Sequence, residues 1–506
     1  MSKVSASFCA AVVTLIFAAI SAPIFPQDVN AAIDIDTAQT ATAHVRGKFS
    51  FPDGVRSRRN FSFLRSIAGI DSLAGRVSDL NLYDANNKPI AFRKLVDGEY
   101  LSEADMVGFS YKVDISVPKQ RDAAAHTSWI AGRTGILMLA DLLPQVTSGG
   151  EPPRASITVS FVETGKDPSL GPGLWPVVST ESRRDETFTS SDTRNAVLYV
   201  GTGWDKGFAI DRASPVQVII SGDWNFEPDD AVSMAGEIYN SYQKLFRGGS
   251  DAKPLIAIAK FPQQTAHGQW QAETRGRSVT ILSSDMPFRT QSLQRLHEQL
   301  RHELFHLWIP NGVALTGNYD WFYEGFALYQ SLKLAVGLNR IRFEDFLDTL
   351  SRAHTIDSAQ FQRTSLVQAS TNRFKGSNTQ VYVRGMLVAF LCDLALLNQS
   401  KGRRSVEDVL AELFGKHRKP ATPVDGNTAV LALLRSNPGV VPIVEKYVSG
   451  SEKIDWTSEI ATAGIEDSDA GILTSLRVKE KPTGRQKALL DKLGYNNWRK
   501  LAPTSK

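Results

Sequence analysis

Two histidines and two glutamates within a short stretch have the types and spacing of a metal-dependent hydrolytic site. The run His302-Glu303-Leu304-Phe305-His306 reads HExxH. Residues four apart on a helix leave the same face, so both imidazoles can hold one zinc ion. Glu303 lies between them in sequence and can reach water bound to that ion. The pattern therefore predicts a zinc-activated water with Glu303 as the general base.

Seventeen residues separate His306 from a candidate third ligand, Glu324. Aromatic residues surround this glutamate in sequence, which indicates burial, and a buried carboxylate needs a cation or a proton. Two histidines and one carboxylate leave the fourth position of a tetrahedral zinc ion open, which is the catalytic arrangement. His302, His306 and Glu324 are therefore the predicted zinc ligands.

Two helices must position these side chains. A leucine stripe at helical spacing predicts the first helix: Leu293, Leu296, Leu300, Leu304 and Leu307. Thr290 or Ser292 is expected to cap its start, and Pro310 to follow its end. The glycine-containing gap that follows can reverse the chain, and Asp320 is the expected cap of a second helix, which carries Glu324.

The two motifs together resemble those of a gluzincin metallopeptidase. The closest pattern is that of the glycyl aminopeptidase family. The alanyl aminopeptidase family is more distant, since its members usually have eighteen residues where this chain has seventeen. The resemblance is specific over residues 290–390. It implies a thermolysin-like catalytic domain and hydrolysis of N-terminal residues from peptides.

The resemblance also implies roles for two residues outside the zinc motifs. Tyr382 begins a Tyr-x-Arg-Gly element, which in these families supplies a phenol that donates to the oxyanion. Related enzymes bind the free α-ammonium of the substrate with a Glu in a Gly-x-x-Glu-type strand. That motif is missing here, and Glu273 is the nearest acid to its place.

Two other functions stay open from the sequence. The missing amine-anchor motif is compatible with a metalloendopeptidase, which cuts within chains. A binding protein that keeps the zinc fold without activity is the other alternative, although a pure binder has no need of Glu303. The preferred interpretation is a zinc aminopeptidase that acts on peptides.

The length, together with the order of predicted strands and helices, indicates an α+β multidomain protein. The chain has 506 residues, of which 42% are hydrophobic, with a net charge of +4. Its basic clusters are short and lack interleaved aromatic residues, so no nucleic-acid partner is expected. We predict a β-sandwich-like N-terminal domain at residues 32–192, a thermolysin-like catalytic domain at 193–400 and a C-terminal helical region at 401–506.

Residues 1–31 have the pattern of a secretory signal peptide. Lys3 provides the positive start, and an apolar run is followed by small residues near Ala31. An uncleaved membrane anchor is the alternative, and after cleavage no stable membrane insertion is expected. Cleavage leaves Cys392 as the one cysteine, so an intrachain disulfide is excluded. We predict a periplasmic or secreted protein.

Overall fold

The structure is a computed structural model that describes residues 28–50, 59–145, 154–161, 176–205, 215–249, 253–470 and 473–497. Residues 1–27 of the predicted signal peptide lie outside these ranges.

The N-terminal region is rich in β-sheet. One sheet has eight strands in the order β13-β14-β11-β1-β2-β8-β4-β5, a second has the order β12-β15-β10-β9, and a third has the order β3-β7-β6. The strands are β1 (Asp28–Asp36), β2 (Thr42–Ser50), β3 (Asn60–Ser62), β4 (Val77–Tyr83), β5 (Pro89–Ile90), β6 (Phe92–Val96), β7 (Glu99–Ser102), β8 (Gly108–Asp114), β9 (Trp129–Ala131), β10 (Thr134–Met138), β11 (Arg154–Phe161), β12 (Val177–Ser179), β13 (Ser182–Arg184), β14 (Thr187–Ser190) and β15 (Val197–Val200). A short helix, α1 (Leu139–Leu142), follows β10, and 3-10 turns lie at Leu73–Arg76 and Arg121–Ala123.

Strand β1 lies inside the large sheet and begins before the predicted signal boundary. It pairs in parallel with β11 and antiparallel with β2, from residue 28 onwards. Val29 and Ala31 are buried. A cut after residue 31 would remove part of an interior strand and expose its neighbours.

The middle of the chain forms a five-stranded sheet with helices packed on it. Its order is β16-β17-β18-β20-β19, with β17, β18 and β20 parallel and the two edge strands antiparallel. The elements are β16 (Trp204–Asp205), β17 (Gln217–Ser221), α2 (Pro228–Leu245), β18 (Leu255–Lys260), β19 (Trp270–Arg275), β20 (Ser278–Ser283), α3 (Arg289–Phe305), β21 (Leu315–Thr316) and α4 (Asp320–Gly337). The central strands are buried on both faces, as expected for a parallel sheet covered by other layers.

The rest of the chain is mainly helical and ends with a hairpin and one more helix. Its elements are α5 (Phe343–Ser358), α6 (Leu366–Thr371), a 3-10 turn (Arg373–Lys375), a π-helical segment (Gln380–Arg384), α7 (Gly385–Ser400), α8 (Val406–His417), β22 (Val424–Asp425), α9 (Gly426–Arg435), α10 (Val441–Ile443), a second π-helical segment (Val444–Ser449), α11 (Thr457–Thr462), β23 (Ile465–Ala470), β24 (Leu473–Val478) and α12 (Gly484–Leu493).

Hydrophobic packing and strand pairing extend across residues 192 and 400, and the predicted domain limits stay a prediction. One core contains side chains drawn from Val216 through Leu493, so residues after 400 pack with the helices before them. Strand β15 lies beyond residue 192 but pairs with β10 of the N-terminal region. A smaller core joins the sheet of β10 and β15 to the five-stranded sheet. The N-terminal region is therefore packed directly on the region that carries the predicted site.

One segment of the described residues, Gln380–Ser400, is long and apolar enough to cross a membrane. In the structure 83% of its apolar window is buried inside the protein. Most of this segment is helix α7, and its apolar side chains belong to the main core. Its composition is therefore explained by core packing.

Candidate metal centre

Helix α3 carries the HExxH residues to the floor of a cavity. Its leucine stripe enters the main core, as predicted, and His306 is the residue that ends the helix. The predicted capping is wrong: Phe288 precedes the first helical residue, and Thr290 and Ser292 lie inside the helix. The Ser292 hydroxyl instead accepts a hydrogen bond from the Met286 amide, 3.2 Å away, so it holds the incoming loop.

Helix α4 brings Glu324 to the same place. Asp320 is its first residue and not its cap, because its carboxylate binds Arg373 instead of the helix amides. Gly325 lies against Gly385 of α7, and a Cβ atom at Gly325 would lie 2.4 Å from the Gly385 backbone. The two helices therefore cross at their backbones, which places Glu324 beside the segment that carries Tyr382.

The three predicted ligands converge on one point. His302 Nε2 and His306 Nε2 lie 3.2 Å apart. Glu324 Oε2 lies 3.2 Å from the first and 3.4 Å from the second. Ligand atoms about 2.0–2.1 Å from a tetrahedral zinc ion lie about 3.3 Å from one another. The three atoms therefore have the separations of one face of a zinc tetrahedron.

The donor set also fits a zinc ion chemically. All three residues are buried, and Glu324 Oε2 makes no hydrogen bond among the described residues. Burial opposes ionisation of Glu324, but the two histidines and Arg373 outweigh it and hold its pKa well below the usual range. His306 Nδ1 lies 3.1 Å from the Ile309 carbonyl, which favours a proton there and leaves Nε2 as the ligand atom.

Glu303 is buried in the same cavity and is held by one strand residue. The Thr274 hydroxyl of β19 donates to Glu303 Oε2 over 2.7 Å. Burial raises the pKa of the Glu303 carboxyl above its ordinary value of 4.5. A carboxyl with a raised pKa accepts and returns protons more readily near neutral pH, which suits a general base.

Tyr382 lies on the π-helical segment before α7. Its ring centroid is 6.3 Å from that of His302. Single π-helical turns often occur at functional sites, because they redirect a side chain within a helix. Burial raises the pKa of the Tyr382 phenol well above 10, so it is a neutral donor at physiological pH.

Arg373 is a residue of the site that the sequence analysis did not single out. It lies in a 3-10 turn, and its guanidinium contacts Asp320, Glu324 and the Tyr382 hydroxyl. The sequence contains no signal for this position: the residue is far from the helical motifs, and its turn has no periodicity. Its place follows only from how α4 and the Tyr382 segment pack.

Glu273 lies on β19, in the same cavity, and is paired with protein groups. Its Oε2 lies 2.6 Å from His126 Nδ1, and its Oε1 lies 3.4 Å from Arg275 Nε. Burial opposes its ionisation, but these neighbours outweigh the effect and lower its pKa to about 2. Glu273 is therefore an anion at the edge of the cavity, although its charge is partly neutralised.

The cavity has a volume of about 510 Å³ and joins all six predicted site residues: Glu273, His302, Glu303, His306, Glu324 and Tyr382. This volume is in the range of small-ligand sites. The N-terminal region contributes Ile67, Ala68, Asp122 and His126 to the lining. The site is thus formed between the N-terminal sheets and the helices of the main core.

No protein-family model matches this chain, and no curated protein sequence matches it. Its fold, in contrast, is similar to solved structures. An aminopeptidase N family protein from Idiomarina loihiensis has 14% identity and a TM-score of 0.71, with 87% of this chain and 79% of that chain covered. An M1 zinc metallopeptidase from Deinococcus radiodurans has 14% identity and a TM-score of 0.51, with 85% and 94% covered.

A variant of the Deinococcus radiodurans enzyme has been solved with a Tyr-Ser-Ala substrate; its identity is 14% and its TM-score 0.51, with 84% and 94% covered. At this identity, the comparisons establish a fold and leave activity to other arguments. The predicted mixed α and β multidomain architecture is confirmed at this level, and the likeness to the glycyl aminopeptidase family stays a prediction. The chain has the fold of M1 zinc metallopeptidases.

Proposed function

We propose that this protein is a zinc-dependent aminopeptidase. The observation that carries the proposal is the convergence of His302, His306 and Glu324 at the separations of a zinc tetrahedron. The fold supports it, because the solved structures that share the fold are named aminopeptidase N family or M1 zinc metallopeptidases. A peptide substrate is supported by the tripeptide bound in one of them.

The predicted site residues have distinct roles in this proposal. Zinc bound by this ligand set supplies Lewis-acid chemistry, which polarises a carbonyl and makes water more acidic. Glu303 takes the proton of the attacking water and passes it to the leaving amine, while Thr274 holds its carboxylate in place. Tyr382 donates a hydrogen bond to the substrate carbonyl oxygen as negative charge develops there.

Glu273 is the proposed anchor for the substrate's α-ammonium group. It shares the cavity with Glu303 and is ionised, so an ammonium group would find a negative charge there. Its existing pairs with His126 and Arg275 weaken this charge. The aminopeptidase specificity therefore depends on whether a substrate ammonium can compete with those two neighbours.

The decisive experiment combines metal analysis with paired substrates. We expect about one zinc ion per chain and cleavage of aminoacyl reporter substrates, including glycyl and alanyl ones. N-acetylated versions of the same peptides should be cleaved far more slowly, because they lack the ammonium group. Zinc binding without hydrolysis of any peptide in a broad panel would contradict the proposal and favour a binding protein.

A metalloendopeptidase is the second candidate, and the pairing of Glu273 with His126 and Arg275 favours it. This candidate predicts equal cleavage of free and N-acetylated peptides. It also predicts that Glu273→Gln leaves the KM for free-amine peptides unchanged, whereas the aminopeptidase proposal expects that KM to rise.

We also propose that the protein is exported. The apolar segment before Asp28 supports a signal peptide, and the pairing of β1 from residue 28 favours cleavage before that residue. N-terminal sequencing of the exported protein tests this. A mature chain that begins at residue 32 would contradict the proposed boundary, and a chain retained uncleaved in the membrane would contradict signal cleavage.

A further inference from the structure

We propose that Arg373 is a positioning residue that fixes the orientation of two groups, the third metal ligand Glu324 and the oxyanion donor Tyr382. The inference rests on the proposed function, since it assigns these two roles to Glu324 and Tyr382. The Arg373 side chain is 13% exposed and lies between α4 and the π-helical segment. Its guanidinium is the one cationic group of the described residues that contacts both Glu324 and Tyr382.

Because of the first contact, the two oxygens of the Glu324 carboxylate have different partners. Arg373 Nη1 lies 2.9 Å from Glu324 Oε1 and 2.9 Å from Asp320 Oδ1. The other oxygen of Glu324, Oε2, faces the two histidines. Because Arg373 holds Oε1, the carboxylate is oriented with Oε2 towards the two histidine nitrogens, where it would serve as the ligand atom for zinc.

The second contact sets the direction of the Tyr382 hydroxyl bond. Arg373 Nη2 donates to the Tyr382 oxygen over 2.5 Å. A guanidinium has donors and no acceptor, so the phenol oxygen must accept this bond. The phenol's own proton is then directed to an acceptor, which is the neighbouring Glu324 carboxylate here and would be the carbonyl oxygen of a bound substrate. A positive charge beside the phenol also strengthens it as a donor.

The geometry requires arginine and not merely a positive charge. The guanidinium reaches Asp320 and Glu324 through one nitrogen and Tyr382 through another, while Nε lies 3.3 Å from Asn378 Oδ1. Lysine carries a single nitrogen on a flexible chain and has no planar fork. Its one nitrogen can reach the carboxylates or the phenol but cannot hold a carboxylate and the phenol in fixed relative positions.

The test measures zinc affinity and peptide turnover in Arg373→Met and Arg373→Lys. We expect Arg373→Met to bind zinc about 10- to 100-fold more weakly, as is usual when a partner of a metal ligand is removed. With zinc saturating, its kcat should fall on the order of 10²-fold, with little change in KM, because an oxyanion donor is misdirected. Arg373→Lys should bind zinc more tightly than Arg373→Met, but its kcat should be as low as that of Arg373→Met.

The matched control is Lys375→Met, which removes an exposed positive charge from the same 3-10 turn. We expect wild-type zinc affinity and turnover for it. Wild-type zinc affinity together with wild-type kcat in Arg373→Met would overturn the proposal. If the wild-type protein hydrolyses no peptide, the proposed function fails, but the zinc-affinity comparison still decides whether Arg373 positions Glu324.

Two further measurements separate positioning from a general loss of folding. Adding guanidinium ion at non-denaturing concentration should restore part of the turnover of Arg373→Ala, because the missing group can enter the space left by the side chain. In a Tyr382→Phe background, Arg373→Met should reduce kcat much less than in wild type. No rescue, together with fully additive losses, would show that Arg373 does not act through Tyr382.

Discussion

Helix α4 carries two buried charged clusters, and they differ in how their charges are satisfied. Near its end, Lys333 lies 2.9 Å from Asp393 Oδ2, and the Tyr329 hydroxyl donates to the same oxygen over 2.7 Å. The Val406 amide donates to the other oxygen of Asp393. At its beginning, Glu324 meets His302 and His306, and its Oε2 makes no hydrogen bond among the described residues.

The difference separates a structural cluster from a binding site. Buried polar groups are costly unless they are paired, so a complete set of partners indicates that a cluster contributes to folding alone. A buried set with three inward-facing ligand atoms has the arrangement that binds a cation. The two clusters of α4 are both buried and charged. They differ in whether their polar atoms have hydrogen-bond partners.

The largest effect should come from removing the base without disturbing the metal ligands. We expect Glu303→Gln to lower kcat by about 10²- to 10⁴-fold, because positioned proton transfer contributes about that much. Zinc content should be unchanged. Glu298→Gln is the control, since Glu298 is a half-exposed residue of the same helix. Wild-type turnover in Glu303→Gln would remove this residue from the mechanism.

The next largest effect should be on stability, in the paired cluster. Asp393→Ala leaves the Lys333 ammonium with the half-exposed Glu407 as its remaining partner, and breaking a buried pair costs about 3–5 kcal/mol. Turnover per folded molecule should not change. The reciprocal variant, His302→Ala, should lose zinc binding and cost the metal-free protein less stability. Urea unfolding of both metal-free variants checks this. Equal losses of unfolding free energy would show that the two clusters do not differ in their contribution to stability.

A moderate effect is expected where the site depends on close backbone packing. In Gly325→Ala, the added methyl group would overlap the Gly385 backbone and push α4 and α7 apart, at a cost of about 1–3 kcal/mol. Turnover should also fall, because Glu324 and Tyr382 lie on either side of this contact. Gly415→Ala in α8 is the control: nothing lies within 4 Å of its added atom, and it should be neutral or slightly stabilising. Thermal unfolding and kcat of both variants provide the measurement.

The smallest effect should be on the pH dependence of stability and comes from Glu273. Its pKa is lowered to about 2 from an ordinary value of 4.5, so its contacts contribute stability that is fully present above about pH 4.5. That contribution is lost as pH falls from about 4.5 towards 2. The difference in unfolding free energy between wild type and Glu273→Gln should therefore shrink between pH 6 and pH 3 in metal-free protein. A constant difference would mean that the pairs with His126 and Arg275 carry no net charge interaction.

The sequence was most informative where chemistry is encoded by local spacing. In any helix, the HExxH spacing places two imidazoles on one face, and the leucine stripe indicates which face enters the core. The strands at Arg154–Phe161 and Ser278–Ser283 also carry the alternating or continuous apolar residues that are typical of strands. The helix caps were not predictable from local spacing. Ser292 accepts a hydrogen bond from the Met286 amide and Asp320 pairs with Arg373, so neither side chain accepts from the first amides of its helix.

Residue types and spacing by themselves predicted the metal-ligand set, its likeness to gluzincins and Glu303 as the base. Only the tertiary structure decided that Arg373 joins Glu324 to Tyr382, that His126 and Arg275 compete for Glu273, and that β1 begins before the predicted signal boundary. The reason is physical: a helix turn fixes the relations of residues three or four apart, whereas contacts between distant segments depend on how helices and sheets pack, and no local pattern records them.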